Sequence, residues 1–229
     1  MNYLIVVAHP DDEVLGAGAT MYKLNKSGHS IFVCILSGMA EARTFRPDDN
    51  ELQKDMYASM KMLGVKNTYI GNFPNIKFNT IPHLELVQFI EQAIKDSQAD
   101  IVITHYPGDT NNDHMHTSLA CQAAIRLFQR QQDIHPLKEF WYMEVPSSSE
   151  WCVNTSFNKF HPNTYIEVGI DGIEKKIQAL SNYRNVMRNY PHPRSYEAIK
   201  GLALFRGSQS GCNYAEAFEV ALRRITWKK

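Results

Sequence analysis

Short apolar runs alternate with segments of helical period over most of the chain. The run "YLIVVA" (residues 3–8) is apolar throughout, which predicts a strand buried on both faces, and residues 13–26 follow with a helical pattern closed by Ser27-Gly28. The cycle then repeats. A strand is predicted over residues 30–37, a helix over 50–64 and a short strand over 67–71. Pro82 opens the next helix, whose Leu86, Val87, Ile90, Ala93 and Ile94 form one apolar stripe. A strand over 99–105, a helix from about 115 to 130 and a strand over 138–146 complete the series. Strands that alternate with helices imply parallel pairing through right-handed crossovers, so the expected fold is a Rossmann-like three-layer α/β/α sandwich with a mostly parallel sheet.

The last third has a different texture. Residues 146–168 read as loop around one late strand, residues 172–190 as a long amphipathic helix, and two shorter helices are expected to finish the chain. No Gly/Ser linker, internal repeat or low-complexity tract interrupts the 229 residues. One domain over 1–229 is therefore expected, with the C-terminal third, from about 146, packed as a flank on the same sheet.

Charge narrows the class of partner. Lys plus Arg and Asp plus Glu are 24 each, the formal net charge is zero, and no basic block is present. A nucleic-acid backbone or an anionic membrane is thus a poor partner, and a small molecule a good one. No apolar run approaches the roughly 18 residues of a membrane span, so no membrane insertion is expected. The first apolar run lacks a basic flank and a cleavage site, and reads as a strand rather than a leader. Cys34, Cys121, Cys152 and Cys212 form no CxxC, which points to reduced thiols and a cytoplasmic protein. A homo-oligomer is compatible with all of this.

Candidate chemistry begins where the first strand ends. The stretch "VVAHPDDEVLGAG" (residues 6–18) sets a histidine and three acids at the start of a helix, and helix capping accounts for one acid, or two. Pro10 fixes the chain as it leaves the strand, so His9 and Asp12 can converge while Asp11 points elsewhere from the same turn. One imidazole and one carboxylate are two of the three protein ligands of an open zinc site. A third should come from another strand end, and "HYPGDTNNDHMHTS" (residues 105–118) offers His114 at a presumed helix start. His105, His116 and Asp109 are weaker candidates, each more simply read as a solvated loop residue. Both loops lie at the carboxyl edge of the sheet, where open α/β folds bind ligands. The "GAG" at residues 16–18 suggests a dinucleotide loop, but position 21 is Met and Pro10-Asp11-Asp12 fills the turn, so small residues there more simply let the helix approach the sheet. Neither loop holds a cysteine, which argues against a closed structural zinc site.

With these residues the chain resembles the LmbE/PIG-L family of zinc-dependent deacetylases. Members remove the acetyl group from N-acetylglucosamine units in small-molecule, nucleotide-linked or lipid-linked substrates. The likeness rests on Ala8-His9-Pro10-Asp11-Asp12-Glu13 with Leu15-Gly16, and extends through residues 109–114, Glu144-Val145-Pro146-Ser147-Ser148, Lys176 with Ala179-Leu180 and Tyr183, and "RGSQSG" with "AEAFE" near the end. It implies an LmbE-like fold in which His9, Asp12 and His114 hold Zn2+, or another divalent ion such as Fe2+, and Asp11 is the general base. Asn111 stands where several members carry a histidine; it can donate a hydrogen bond to an oxyanion but cannot shuttle protons. The general acid would be protonated Asp11, with His116 or His192 as substitutes. Asp113 is either the partner that orients a ligand histidine or a helix cap, and Glu13 would support the ligands. On the substrate side Arg43 and Asp109 are candidates, and Arg194, Arg206 and Ser208 would suit an anionic sugar. Tyr106 and Trp151 are candidates for stacking on a sugar face. The implied reaction is removal of an N-acetyl group from an N-acetylglucosamine-type sugar; an amidase of another N-acylated amine, or a non-catalytic zinc-binding protein, are the alternatives.

Overall fold

The structure, a computed structural model, describes residues 1–39, 48–153 and 159–225. The alternating part of the sequence supplies strands β1 (Asn2–Val7), β2 (Ser30–Ile35), β3 (Val65–Ile70), β4 (Ile101–His105) and β5 (Glu139–Met143). Between them run helices α1 (Asp12–Lys26), α2 (Asp49–Leu63), α3 (His83–Ser97), α4 (Asn112–Ala124) and the one-turn α5 (Leu127–Arg130). The last third adds β6 (Thr164–Glu167), α6 (Gly169–Asn182), α7 (Tyr196–Ser210) and β7 (Ala215–Arg223). The seven strands form one sheet in the order β3-β2-β1-β4-β5-β7-β6. The first five are parallel, and β7 runs antiparallel to both β5 and β6. This is the mostly parallel three-layer sandwich that the pattern predicts.

The uninterrupted apolar run of β1 is explained by burial on two faces. Tyr3, Ile5 and Val7 join a core with Leu15 and Met21 of α1, Leu52 and Met56 of α2 and Leu180 of α6. Leu4, Val6 and Ala8 join the opposite core with Leu86 and Ile90 of α3 and Cys121 and Ala124 of α4. All five residues of the predicted α3 stripe are buried. A Cβ on Gly16 would sit 2.4 Å from Met143 Sδ, and one on Gly18 2.8 Å from Val14 Cγ1. Gly16 thus lets α1 pack closely on Met143 of β5, and Gly18 lets it approach Lys176 of α6.

Three boundaries differ from expectation. The chain does not finish with two short helices: α7 is followed by the nine-residue strand β7. Its Ala, Glu and Leu residues favour helix locally, but β5 offers a free edge, and pairing from Glu139↔Arg223 to Met143↔Phe218 overrides that preference. Helix α6 stops at Asn182 rather than running to 190. Asp55 of α2 accepts the backbone N–H of Arg184 at 3.1 Å, and the Tyr183 side chain turns inward to donate to Glu13 at 2.7 Å. Helix α4 begins three residues earlier than expected and ends at Ala124, before the turn of α5.

This topology decides where a ligand can bind. From β1 the chain crosses to β2 on one side, and from β4 it crosses to β5 on the other. The neighbours β1 and β4 therefore flank the switch point, where the crevice beyond the strand ends lies open. Residues 8–13 and 106–114, the two chemistry-bearing loops, leave from these two strands.

Candidate metal centre

The turn after β1 is built around one unusual backbone conformation. Asp11 has φ 95° and ψ −26°, in the left-handed region that non-glycine residues seldom adopt. Its carbonyl accepts the N–H of Leu15 at 2.9 Å, which starts α1, and its own N–H donates to Glu13 Oε2 at 3.1 Å. The next residue, Asp12, turns its carboxylate back toward the strand, where Oδ2 accepts the backbone N–H of His9 at 3.0 Å. Adjacent acids thereby face different ways.

The loop after β4 brings the second half. Asn111 caps α4, its Oδ1 accepting the N–H of Asp113 at 2.9 Å. His114 on the first turn then points Nε2 to within 3.1 Å of Asp12 Oδ2, while His9 Nδ1 lies 3.4 Å from the same oxygen. Ligands about 2.0–2.1 Å from a tetrahedral zinc are separated by about 3.4 Å, so these spacings fit. Donor atoms of His9, Asp12 and His114 all lie within 4.8 Å of one another, and all three residues are buried.

The outward nitrogen of each imidazole is also engaged. His9 Nε2 lies 2.9 Å from Asp113 Oδ2, and His114 Nδ1 lies 3.2 Å from Asp109 Oδ2. A ligand histidine commonly gives its other ring N–H to a carboxylate, which fixes the tautomer and aims the free nitrogen at the ion. Asp113 is anchored in turn by the N–H groups of Ile76 (2.6 Å) and Phe78 (2.9 Å). Asp109 accepts the hydroxyls of Ser148 and of Ser149, the latter at 2.7 Å. The residues present therefore fit a divalent ion with one imidazole, one carboxylate and a second imidazole.

The model of the family described as PIG-L, GlcNAc-PI de-N-acetylase, matches residues 4–125, over half of the chain and both of these loops. The chain belongs to the PIG-L family. Among solved structures it is similar to the conserved protein TT1542 from Thermus thermophilus, with TM-score 0.80, 22% identity and 100% of both chains covered. It is also similar to the N,N'-diacetylchitobiose deacetylase from Pyrococcus horikoshii, with TM-score 0.74 and 19% identity over 95% of this chain and 82% of that one. A third likeness is to GalB, the 4-carboxy-2-hydroxymuconate hydratase from Pseudomonas putida, with TM-score 0.75, 20% identity and 100% of both chains covered. At these identities the shared property is the fold, and the hydratase shows that this fold carries more than one reaction.

The electrostatics of this PIG-L family site reflect an excess of acid. Burial is the largest single influence on each group and opposes charge, yet mutual attraction prevails at the ligands. Hydrogen bonds to Asp113 and Asp12 raise His9, and Asp12 and Asp109 push His114 up to about 10. The same contacts hold Asp12 well below the usual carboxylate range and depress Asp109 and Asp113. The cluster thus calls for positive charge, which a divalent cation on neutral imidazoles would supply in place of protons. Burial pushes Glu13 up to about 8 against the opposing bond from Tyr183, which favours its neutral form.

Several candidates take other places. Asp109, expected toward substrate, is buried behind His114. Asn111 is tied to the end of α4 by its cap. Asp113 orients His9 rather than capping the helix. His105 stacks flat on His114, with ring centres 3.9 Å apart and planes at 13°, and its Nε2 accepts the N–H of Ala8 at 2.9 Å. Its donor atom falls near those of Asp109 and His114, but stacked rings direct their in-plane lone pairs side by side rather than at one point. Burial and His114 lower it to about 3, so it stays neutral. Tyr106 is buried against Tyr142 and Phe160, a packing role, while Trp151 is exposed. Arg206 pairs with Glu144 at 2.6 Å, and Ser208 donates to its own helix at Phe205. His192 is exposed and accepts the N–H of Arg194 at 3.0 Å. Arg43 lies outside the described residues. Sequence reasoning gave Ser149 no role, and named Tyr183 only as part of the family likeness without a role as a support.

All four cysteines are free, three of them buried. Among the described residues no helix is long and apolar enough to cross a membrane.

Proposed function

We propose that the chain, read as one catalytic domain over 1–229, is a metal-dependent hydrolase that removes the N-acetyl group from an N-acetylglucosamine-type sugar. The observation that carries this reading is the division of labour between Asp11 and Asp12. Asp12 lies between two imidazoles, whereas Asp11, one residue earlier and in a left-handed conformation, stays out of that set and sets its carboxylate against Arg194. A general base needs that position, close to the reacting water and off the ion. The family's description as a de-N-acetylase and the chitobiose deacetylase of like fold support an amide substrate.

His9, Asp12 and His114 would hold the ion, zinc or iron(II), which when bound lowers the pKa of water to about 7 and polarises the acyl carbonyl. Asp11 takes the proton of the attacking water as the water oxygen bonds to the acyl carbon and the carbonyl π pair moves onto oxygen. That pair returns as the C–N bond breaks, and the proton on Asp11 passes to the leaving nitrogen. Amine and acetic acid depart, and the acid gives up the second proton of the water to become acetate. Asp109 and Asp113 keep both imidazoles in the required tautomer, and Glu13 holds the turn that aims Asp11.

Water activation also serves hydration of a double bond, so acetate release is the deciding readout. Purified protein is analysed for metals, then assayed on N,N'-diacetylchitobiose and on nucleotide- and lipid-linked N-acetylglucosamine, with and without a chelator. Acetate release that stops with chelator and returns with added zinc or iron(II) is expected. Metal-loaded protein that releases no acetate from any of these amides would refute the reading.

A further inference from the structure

One guanidinium reaches this site from far along the chain. Arg194 Nη1 lies 3.3 Å from Asp11 Oδ2, and its Nε donates to Ser147 Oγ at 2.8 Å. Three loops meet at this point, and each is fixed independently. Ser147 is itself held at φ 78°, with its N–H on Glu150 Oε1 at 2.7 Å. The backbone of Arg194 is clamped on both sides: its carbonyl accepts the N–H of Arg188 at 3.2 Å, its N–H is taken by His192, and Ser195 caps α7. An exposed arginine pair seldom repays the loss of side-chain freedom. This one is set against a carboxylate only 3% exposed, while the arginine keeps 26% of its side chain open to solvent.

The fork is only partly used. Arginine carries five N–H donors, and Nη2 makes no hydrogen bond among the described residues. Asn111, the donor that the sequence suggested, is bound to the first turn of α4 through its Oδ1. An always-charged planar fork suits a carboxylate-like group, which presents two oxygens in one plane, and cannot be deprotonated by the acids around it.

We propose that Arg194 is a catalytic residue of this site, donating to the acyl oxygen as negative charge gathers on it and to the carboxylate of the product. This rests on the deacetylase reading, and the test separates the two. Wild type, R194A and R194K are loaded with zinc, their metal content is measured, and each is titrated with sodium acetate by calorimetry beside the turnover assay. R194A is expected to keep its metal, to bind acetate about tenfold more weakly or worse, and to lose more in kcat than it gains in KM. Guanidinium chloride should restore part of its turnover. R194K, which keeps the charge without the fork, should fall between, and it preserves the comparison should R194A fold poorly. Equal acetate affinity in wild type and variants, or loss of metal from both variants, overturns the proposal. A wild type that releases no acetate overturns the deacetylase reading, and the acetate titrations, read separately, still decide for or against Arg194 as the anion donor.

Discussion

Helix α1 touches two buried charge clusters that obey opposite rules. At its start Asp11 and Asp12 meet Asp109 and Asp113, four buried carboxylates around His9 and His114 with one arginine, Arg194, set against Asp11. In its middle Lys176 of α6 pairs with Glu216 of β7 at 2.6 Å, one cation to one anion. That second cluster is closed: Lys176 also donates to Leu15 O at 2.7 Å, and Glu216 accepts the N–H groups of Ala19 and Thr20 at 3.2 and 2.7 Å. The pair is spliced into the hydrogen-bond ladder of the helix, which ties α1 to α6 and β7. Both clusters are buried, so burial does not distinguish a site from a brace. Charge balance does, since a satisfied pair asks for nothing further while an acid excess around converging nitrogens asks for a cation.

The contrast can be tested in order of expected effect. D11N should lower turnover by about 10²–10⁴-fold, the usual worth of a general base, with metal content unchanged; loss of metal would move Asp11 into the ligand set. On the brace side, K176M leaves Glu216 buried and unpaired, and should cost about 3–5 kcal/mol in chemical denaturation. The double variant K176M/E216L should recover most of it, and a failure to recover would mean the pair does more than balance charge. D109N keeps its shape but loosens the aim of His114, so metal affinity measured by chelator competition should fall about 10–100-fold with little change in kcat per bound metal. Unchanged affinity would leave Asp109 without an orienting role.

The smallest effect concerns a third cluster, at the opposite end of the strands. Asp100 accepts from Asn2 N–H (2.8 Å) and Lys138 Nζ (2.7 Å), with His135 beside it. Burial opposes its charge, but Lys138 and the Asn2 amide lower it to about 2. A depressed carboxylate stabilises the fold above its unfolded value of about 3.9, and that stability drains away as pH falls toward 2. Thermal melts between pH 4 and 2 should therefore decline less steeply in D100N than in wild type. Parallel declines would remove Asp100 from the balanced class.

How much of this the sequence revealed depended on distance along the chain. His9, Asp12 and His114 were legible because each follows a strong strand signal, and a sheet of known handedness brings such strand ends together. The directions of side chains within those loops were not legible. Whether Asp109 faces substrate or His114 turns on Ser148 and Ser149, some forty residues away. The partner of Asp11 lies further still, at Arg194, beyond the helix expected to end at residue 190; the sequence offered this arginine to an anionic sugar and gave no sign of its pairing with Asp11. Strand β7 was hidden for a different reason: its residues are good helix formers, and only the free edge of β5 makes them a strand.

The left-handed turn at position 11 has a practical consequence for dissecting this protein. Asparagine tolerates that backbone region better than other side chains of its size, so it deletes the negative charge while leaving the loop in its native shape. Alanine would change chemistry and conformation together, and glycine would relieve the strain besides removing the functional group. Comparing the three at one position would therefore separate what the carboxylate does from what the bend does.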